Sequence, residues 1–141
     1  GGQRTPPPPP AVASRGEEIV RREVDALVKK DPQVAAALLR LAFHDATARD
    51  TETGEGGANG SVVLEEELKR RENYGLAKTV ALVRQIQQKS GLSMADTIAL
   101  AGAQAVTSVG GPEIRIALGR VDASSPDPQK LARPVGKCEE A

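Results

Sequence analysis

The chain has 141 residues, 39% of them hydrophobic, which is enough for one small core and too little for two ordinary domains. Nineteen basic residues cancel nineteen acidic ones without any Lys/Arg block, so nothing supports a nucleic-acid or membrane-surface role, and no apolar run is long enough to span a bilayer. Aromatic residues are nearly absent, with Phe43, Tyr74 and no Trp, so the core must come from Ala, Leu, Val and Ile on closely packed helices. The single cysteine, Cys138, excludes an internal disulfide, leaves the redox compartment open and reads as a solvated thiol near the chain end.

The first residues, GGQRTPPPPPAVAS, carry neither an initiator Met nor a charged-then-apolar signal pattern, and fit a mature N-terminus left by targeting-peptide removal or an artificial boundary. Pro6 to Pro10 favour a stiff polyproline II arm, either a spacer or a segment docked along a partner. Ile19, Val20, Val24, Leu27 and Val28 then recur at three- and four-residue steps and predict an amphipathic helix over about 15–30. Asp31 as N-cap and Pro32 at the first helical position open a mostly apolar second helix to about residue 46.

A polar, glycine-rich loop follows over 47–61, and charges at 65–72 predict a short exposed helix. Leu76, Val80, Leu82, Val83 and Ile86 predict a long helix from Asn73 to Lys89, stopped by Ser90-Gly91. In SMAD, Ser93 caps the next helix with Asp96 reaching back as a capping box, and that helix stops at Gly110-Gly111-Pro112. From Glu113 the chain reads as an extended excursion around GRVDA and a Pro-punctuated tail. The class is all-α, with a Pro-rich arm at 1–13, a helical domain at 14–124 and an irregular tail at 125–141.

The stretch RLAFHDA holds the only His and the only Phe. Arg40 and His44, four apart on one helix, share a face one turn from each other, with Phe43 beside them. An imidazole can shuttle a proton, and a guanidinium one turn away can stabilise negative charge developing on an oxygen.

Taken in order, LLRLAFHDA, GGANGS, the Glu67-to-Leu76 spacing, SMADTIALAGAQAV, GGPEI and GRVDA resemble the distal half of the plant, fungal and bacterial haem peroxidase superfamily, over roughly residues 16–124. The resemblance is closest to class I, ascorbate-peroxidase-like sequences, including plastid and lumenal types. It implies the helical distal domain of that fold, cut before the proximal half. It also implies that His44 is the distal base, Arg40 the cation assisting O–O cleavage and Asn73 the residue orienting the His. Phe43 stands where ascorbate peroxidases typically have Trp and other classes have Phe. Asp45, Gly57, Asn59 and Ser61 match positions that bind calcium in secretory relatives, with Asn59 in place of an Asp and so one charge fewer for a cation that favours oxygen ligands. Asp96 and Arg120 match a pair that ties a helix to the GR loop.

In the resembling family a second helical half supplies a proximal His for haem. After GRVDA this sequence offers SSPDPQKLARPVGKCEEA and no further His. The expectation is a non-catalytic, peroxidase-like accessory subunit that binds no haem itself and docks on a larger assembly; the resemblance to lumenal types implies a photosynthetic complex in the chloroplast thylakoid lumen. Its docking surface is then the apolar face vacated by haem. The alternative is a hydrogen-peroxide-reducing haem peroxidase of ascorbate-peroxidase type, of which this chain is a fragment or half-site. A calcium-dependent binding domain is a third reading.

Overall fold

The computed structural model describes residues 10–47 and 56–127. These form five α-helices, α1 (Pro10–Lys30), α2 (Gln33–Thr47), α3 (Glu65–Leu68), α4 (Ala77–Ser90) and α5 (Met94–Ser108), with 3-10 turns at Ser61–Val63 and Arg71–Asn73. No strand occurs among the described residues, so the all-α class expected from the sequence is what the chain adopts.

α5 is the central helix and packs against α1, α2 and α4. From Met94 to Ala103 every residue except Ala99 is buried, as expected for a helix apolar nearly all round. α1 presents the buried stripe Val20, Val24 and Val28, while α4 presents Val80, Val83 and Ile86. α2 contributes Leu38 and Leu41. With so few aromatics, helices must approach closely. A Cβ at Gly102 would lie 2.7 Å from Ala42 Cβ, so glycine here sets the spacing of α5 from the helix that carries the RLAFHDA motif.

Several boundaries differ from the sequence reading. α1 begins at Pro10, so residues 10–13 of the expected arm belong to the helix, whose first turn tolerates proline because that N–H has no intrahelical partner. The rest of the arm, residues 48–55 of the glycine-rich loop and the tail from residue 128 with Cys138 lie outside the described residues. α2 starts as expected, with Asp31 Oδ1 accepting from Gln33 N at 3.1 Å. The exposed helix at 65–72 shrinks to α3. Asn73 is not in α4: it ends a 3-10 turn, and Gly75, at φ 88°, turns the chain before the helix begins at Ala77.

Ser93 does cap α5, its Oγ accepting from Asp96 N at 3.0 Å. The Asp96 carboxylate takes the family-pair role instead of completing a capping box: it accepts from Gly119 N (2.8 Å), Arg120 N (3.1 Å) and Arg120 Nη1 (3.2 Å). Asp122 satisfies the helix start, its carboxylate accepting from Met94 N (2.8 Å) and Ala95 N (2.7 Å) where the dipole favours negative charge. The non-helical strap of residues 112–127 is thereby tied across the N-terminal end of α5 and on to the loop at Asn59, whose carbonyl accepts from Ala123 N at 2.7 Å.

Candidate functional site

The helical period of α2 separates its residues into two environments. Leu41 and Asp45 turn into the protein, at 0% and 2% exposure. Arg40 and Phe43 face outward, and His44 lies between, buried but at the edge. The structure brings Arg40, His44 and Asn73 together from α2 and the Arg71–Asn73 turn, 29 residues apart for the His-Asn pair. His44 Nδ1 lies 2.9 Å from Asn73 Oδ1. Asn73 Nδ2 donates to the Glu67 carbonyl at 2.8 Å, which fixes the amide orientation and leaves its oxygen toward the ring. An amide oxygen can only accept, so neutral His44 carries its proton on Nδ1 and presents the Nε2 lone pair as a base.

Arg40 Nη2 donates to the Tyr74 carbonyl at 2.8 Å, and Arg40 Nη1 would lie 3.4 Å from a Cβ at Gly75, so the guanidinium rests along the Tyr74–Gly75 backbone. The Phe43 and His44 rings meet edge-on, with centroids 6.1 Å apart and planes at 66°. Around them Leu39 (49% exposed), Phe43 (52%) and Tyr74 (82%) make an open face that is partly apolar.

Behind Asn73 lies a buried polar cluster. Glu67 Oε2 accepts from Asp127 N at 2.8 Å, and Arg70 Nη1 sits 3.7 Å from Glu67 Oε1. Arg70 Nη2 donates to the Asp127 carbonyl, and Asn59 Nδ2 donates to Asp127 Oδ1 at 2.8 Å. Asp45 Oδ2 accepts from Gly60 N at 3.0 Å. Burial pushes the Asp45 carboxyl up to about 7; the Gly60 and Val62 N–H groups oppose this, while the negative charges of Glu67 and Asp127 reinforce it.

The four positions singled out for calcium are brought to this cluster. Asn59 Oδ1 already accepts from Ser61 N (3.0 Å), and the Gly57 carbonyl accepts from Asn59 N (2.8 Å). Of these four residues only Asp45 Oδ1 and Ser61 Oγ are buried side-chain oxygens without a partner. Among the described residues no group of three or more His, Cys, Asp or Glu side chains could hold a metal ion. Sequence reasoning missed Asp127, which the composition had assigned to the irregular tail but which is only 6% exposed.

Comparison with known proteins gives these residues a family. The model of the family described as peroxidase matches residues 20–139. L-ascorbate peroxidase 5, peroxisomal, of Arabidopsis thaliana is 43% identical over 118 residues, covering 83% of this chain and 42% of that protein. The Arabidopsis thaliana thylakoid lumenal 29 kDa protein, chloroplastic, is 41% identical over 86 residues, covering 56% of this chain and 25% of that one. Among solved structures, the TL29 protein of Arabidopsis thaliana superposes with a TM-score of 0.72 at 27% identity, over 84% of this chain and 61% of its own. The chain therefore spans less than half the length of these two curated relatives. With a family match over most of its length and the distal motif residues in one place, this chain belongs to the peroxidase family, in its ascorbate-peroxidase-like branch.

Proposed function

We propose that this chain supplies the peroxide-facing side of a haem-peroxidase site. The observation that carries this reading is the His44–Asn73 hydrogen bond, buried, locked in one amide orientation by Glu67 and flanked one helical turn away by Arg40.

Arg40, Phe43 and His44 would line one side of a haem. His44 is the only histidine in the sequence and its Nδ1 faces Asn73, so with His44 as the base the iron would take its protein ligand from another group. Haem, when bound, supplies the redox-active iron. The chain's own part would be proton handling: His44 Nε2 would take up a proton from one oxygen of hydrogen peroxide and deliver it to the other, while the electrons that O–O cleavage needs would come from the haem. Arg40 stabilises the negative charge that develops as the oxygens separate. The ascorbate-peroxidase activity named in the relatives is the reaction class we carry over to this chain.

A second reading, the non-catalytic accessory subunit, is favoured by the exposed Leu39, Phe43 and Tyr74, which a protein partner would cover as readily as a cofactor. Both readings place the protein in an organelle, in keeping with peroxisomal and chloroplastic relatives; the thylakoid lumen and a photosynthetic complex belong to the second.

One experiment separates them. Haemin is added to the natively purified protein and the Soret region is followed, then peroxide is added. A stoichiometric band that responds to peroxide and is altered in His44→Ala supports the peroxidase half-site. No band, together with retention of His44→Ala in a native complex, supports the accessory subunit.

A further inference from the structure

We infer that Asp127 is a positioning residue for His44, acting across 60 residues of sequence by holding the backbone that aims Asn73. Nearly every polar group of Asp127 is turned toward the segment between Asn59 and Arg70. Its N–H donates to Glu67 Oε2, its carbonyl accepts from Arg70 Nη2, and its Oδ1 accepts from Asn59 Nδ2. Glu67 and Arg70 in turn hold Asn73 directly: the Glu67 carbonyl accepts from Asn73 Nδ2, and the Arg70 carbonyl accepts from Asn73 N at 3.0 Å. The same two residues that grip Asp127 with their side chains therefore grip Asn73 with their backbone carbonyls.

The physical need for this clamp lies in the local sequence. Asn73 lies in a 3-10 turn of three residues behind a four-residue helix, with Gly75 at positive φ just beyond. Elements this short do not hold their own geometry. The amide must be held in place for its oxygen to stay 2.9 Å from His44 Nδ1. Asp127 supplies that constraint from the far end of the strap, which is itself fastened at Asp96 and Asp122. The Asp127 side chain is itself buried, at 6% exposure, with Oδ1 accepting from Asn59 Nδ2, which holds the residue in its place against the site loop.

This inference deepens the reading of His44 as the working base, and its test needs neither haem nor turnover. Because His44 is the only histidine, long-range proton–nitrogen correlation spectra report its tautomer without ambiguity. In the parent protein, with the ring neutral, Nδ1 should show the shift of a protonated nitrogen and Nε2 that of an unprotonated one. Asp127→Ala removes the carboxylate anchor, and Asp127→Pro also removes the N–H that Glu67 accepts. Both should move the two nitrogen shifts toward each other, the proline variant further, and Asn73→Ala should move them as well. Asp127→Asn, which keeps the acceptor for Asn59, should restore the parental pattern.

Circular dichroism checks that each variant retains its helices; if the proline variant does not, the alanine variant decides alone. Parental shifts in Asp127→Ala alongside moved shifts in Asn73→Ala would overturn the role of Asp127 and leave the site reading intact. Averaged shifts already in the parent would overturn both the clamp and the His44–Asn73 lock.

Discussion

Asp45 follows His44 in sequence, but the two side chains meet different surroundings: His44 faces an amide at the edge, and Asp45 faces Gly60 from a position 2% exposed. With its carboxyl pushed from 3.8 to about 7, the folded protein keeps a proton that the unfolded chain releases near pH 4. Between those values the folded state binds more protons than the unfolded one, so stability falls as pH rises. The linkage amounts to roughly 4 kcal/mol at most between about pH 4 and pH 7, and little more is lost above. Urea denaturation should show the protein less stable at pH 8 than at pH 5, with Asp45→Asn, a permanently neutral mimic of the protonated acid, shrinking that difference. An equal pH dependence in the variant would assign the effect to other groups. For the reacting residues, His44→Ala should slow peroxide turnover of haem-loaded protein by about 10²- to 10⁴-fold, the usual contribution of a general acid–base group, as read from initial rates.

At the level of the helices, the approach of α2 to α5 decides whether the site face is correctly placed. Glycine inside a helix costs about 1 kcal/mol relative to alanine, so propensity alone favours Gly102→Ala. The 2.7 Å approach of the new methyl to Ala42 Cβ should reverse that sign, because two packed helices would have to separate. We expect a net loss of about 1–3 kcal/mol in chemical denaturation; a gain would mean that α2 can shift freely.

The helices were also the part most legible in the sequence. Apolar steps at Val20, Val24 and Val28 and the Asp31-Pro32 start gave α1 and α2 nearly whole, because those signals are local. The start of α4 was misread because Leu76 and Val80 share a stripe that extends back toward Asn73, and periodicity cannot register the left-handed turn at Gly75. Asp96 was legible twice over, as a capping-box residue and as a partner for Arg120, and distant backbone N–H groups won its carboxylate. His44, Arg40 and Asn73 could be named from motif spacing. The grip of Asp127 could not, since its partners lie at Asn59, Glu67 and Arg70 and only the folded chain brings them near.

Across the molecule, a strap without regular secondary structure ties the loop of the site to the central helix, and Asp96 is its main fastening. The Asp96 carboxylate is 1% exposed and serves two backbone N–H groups besides Arg120. Asp96→Ala leaves those donors without their acceptor and should cost about 2–4 kcal/mol, whereas Arg120→Met, removing a part-exposed partner, should cost less than about 1 kcal/mol. Denaturant midpoints with unchanged slopes would report this contrast; equal losses would place the fastening in the ion pair instead of the backbone.

The strap also couples two parts of the fold that a single cut would disturb together. Residues 112–127 hold the start of α5 through Asp96 and Asp122 and meet the segment before Asn73 through Glu67 and Arg70. A proteolytic nick within that stretch would therefore loosen both the seat of the central helix and the turn behind His44.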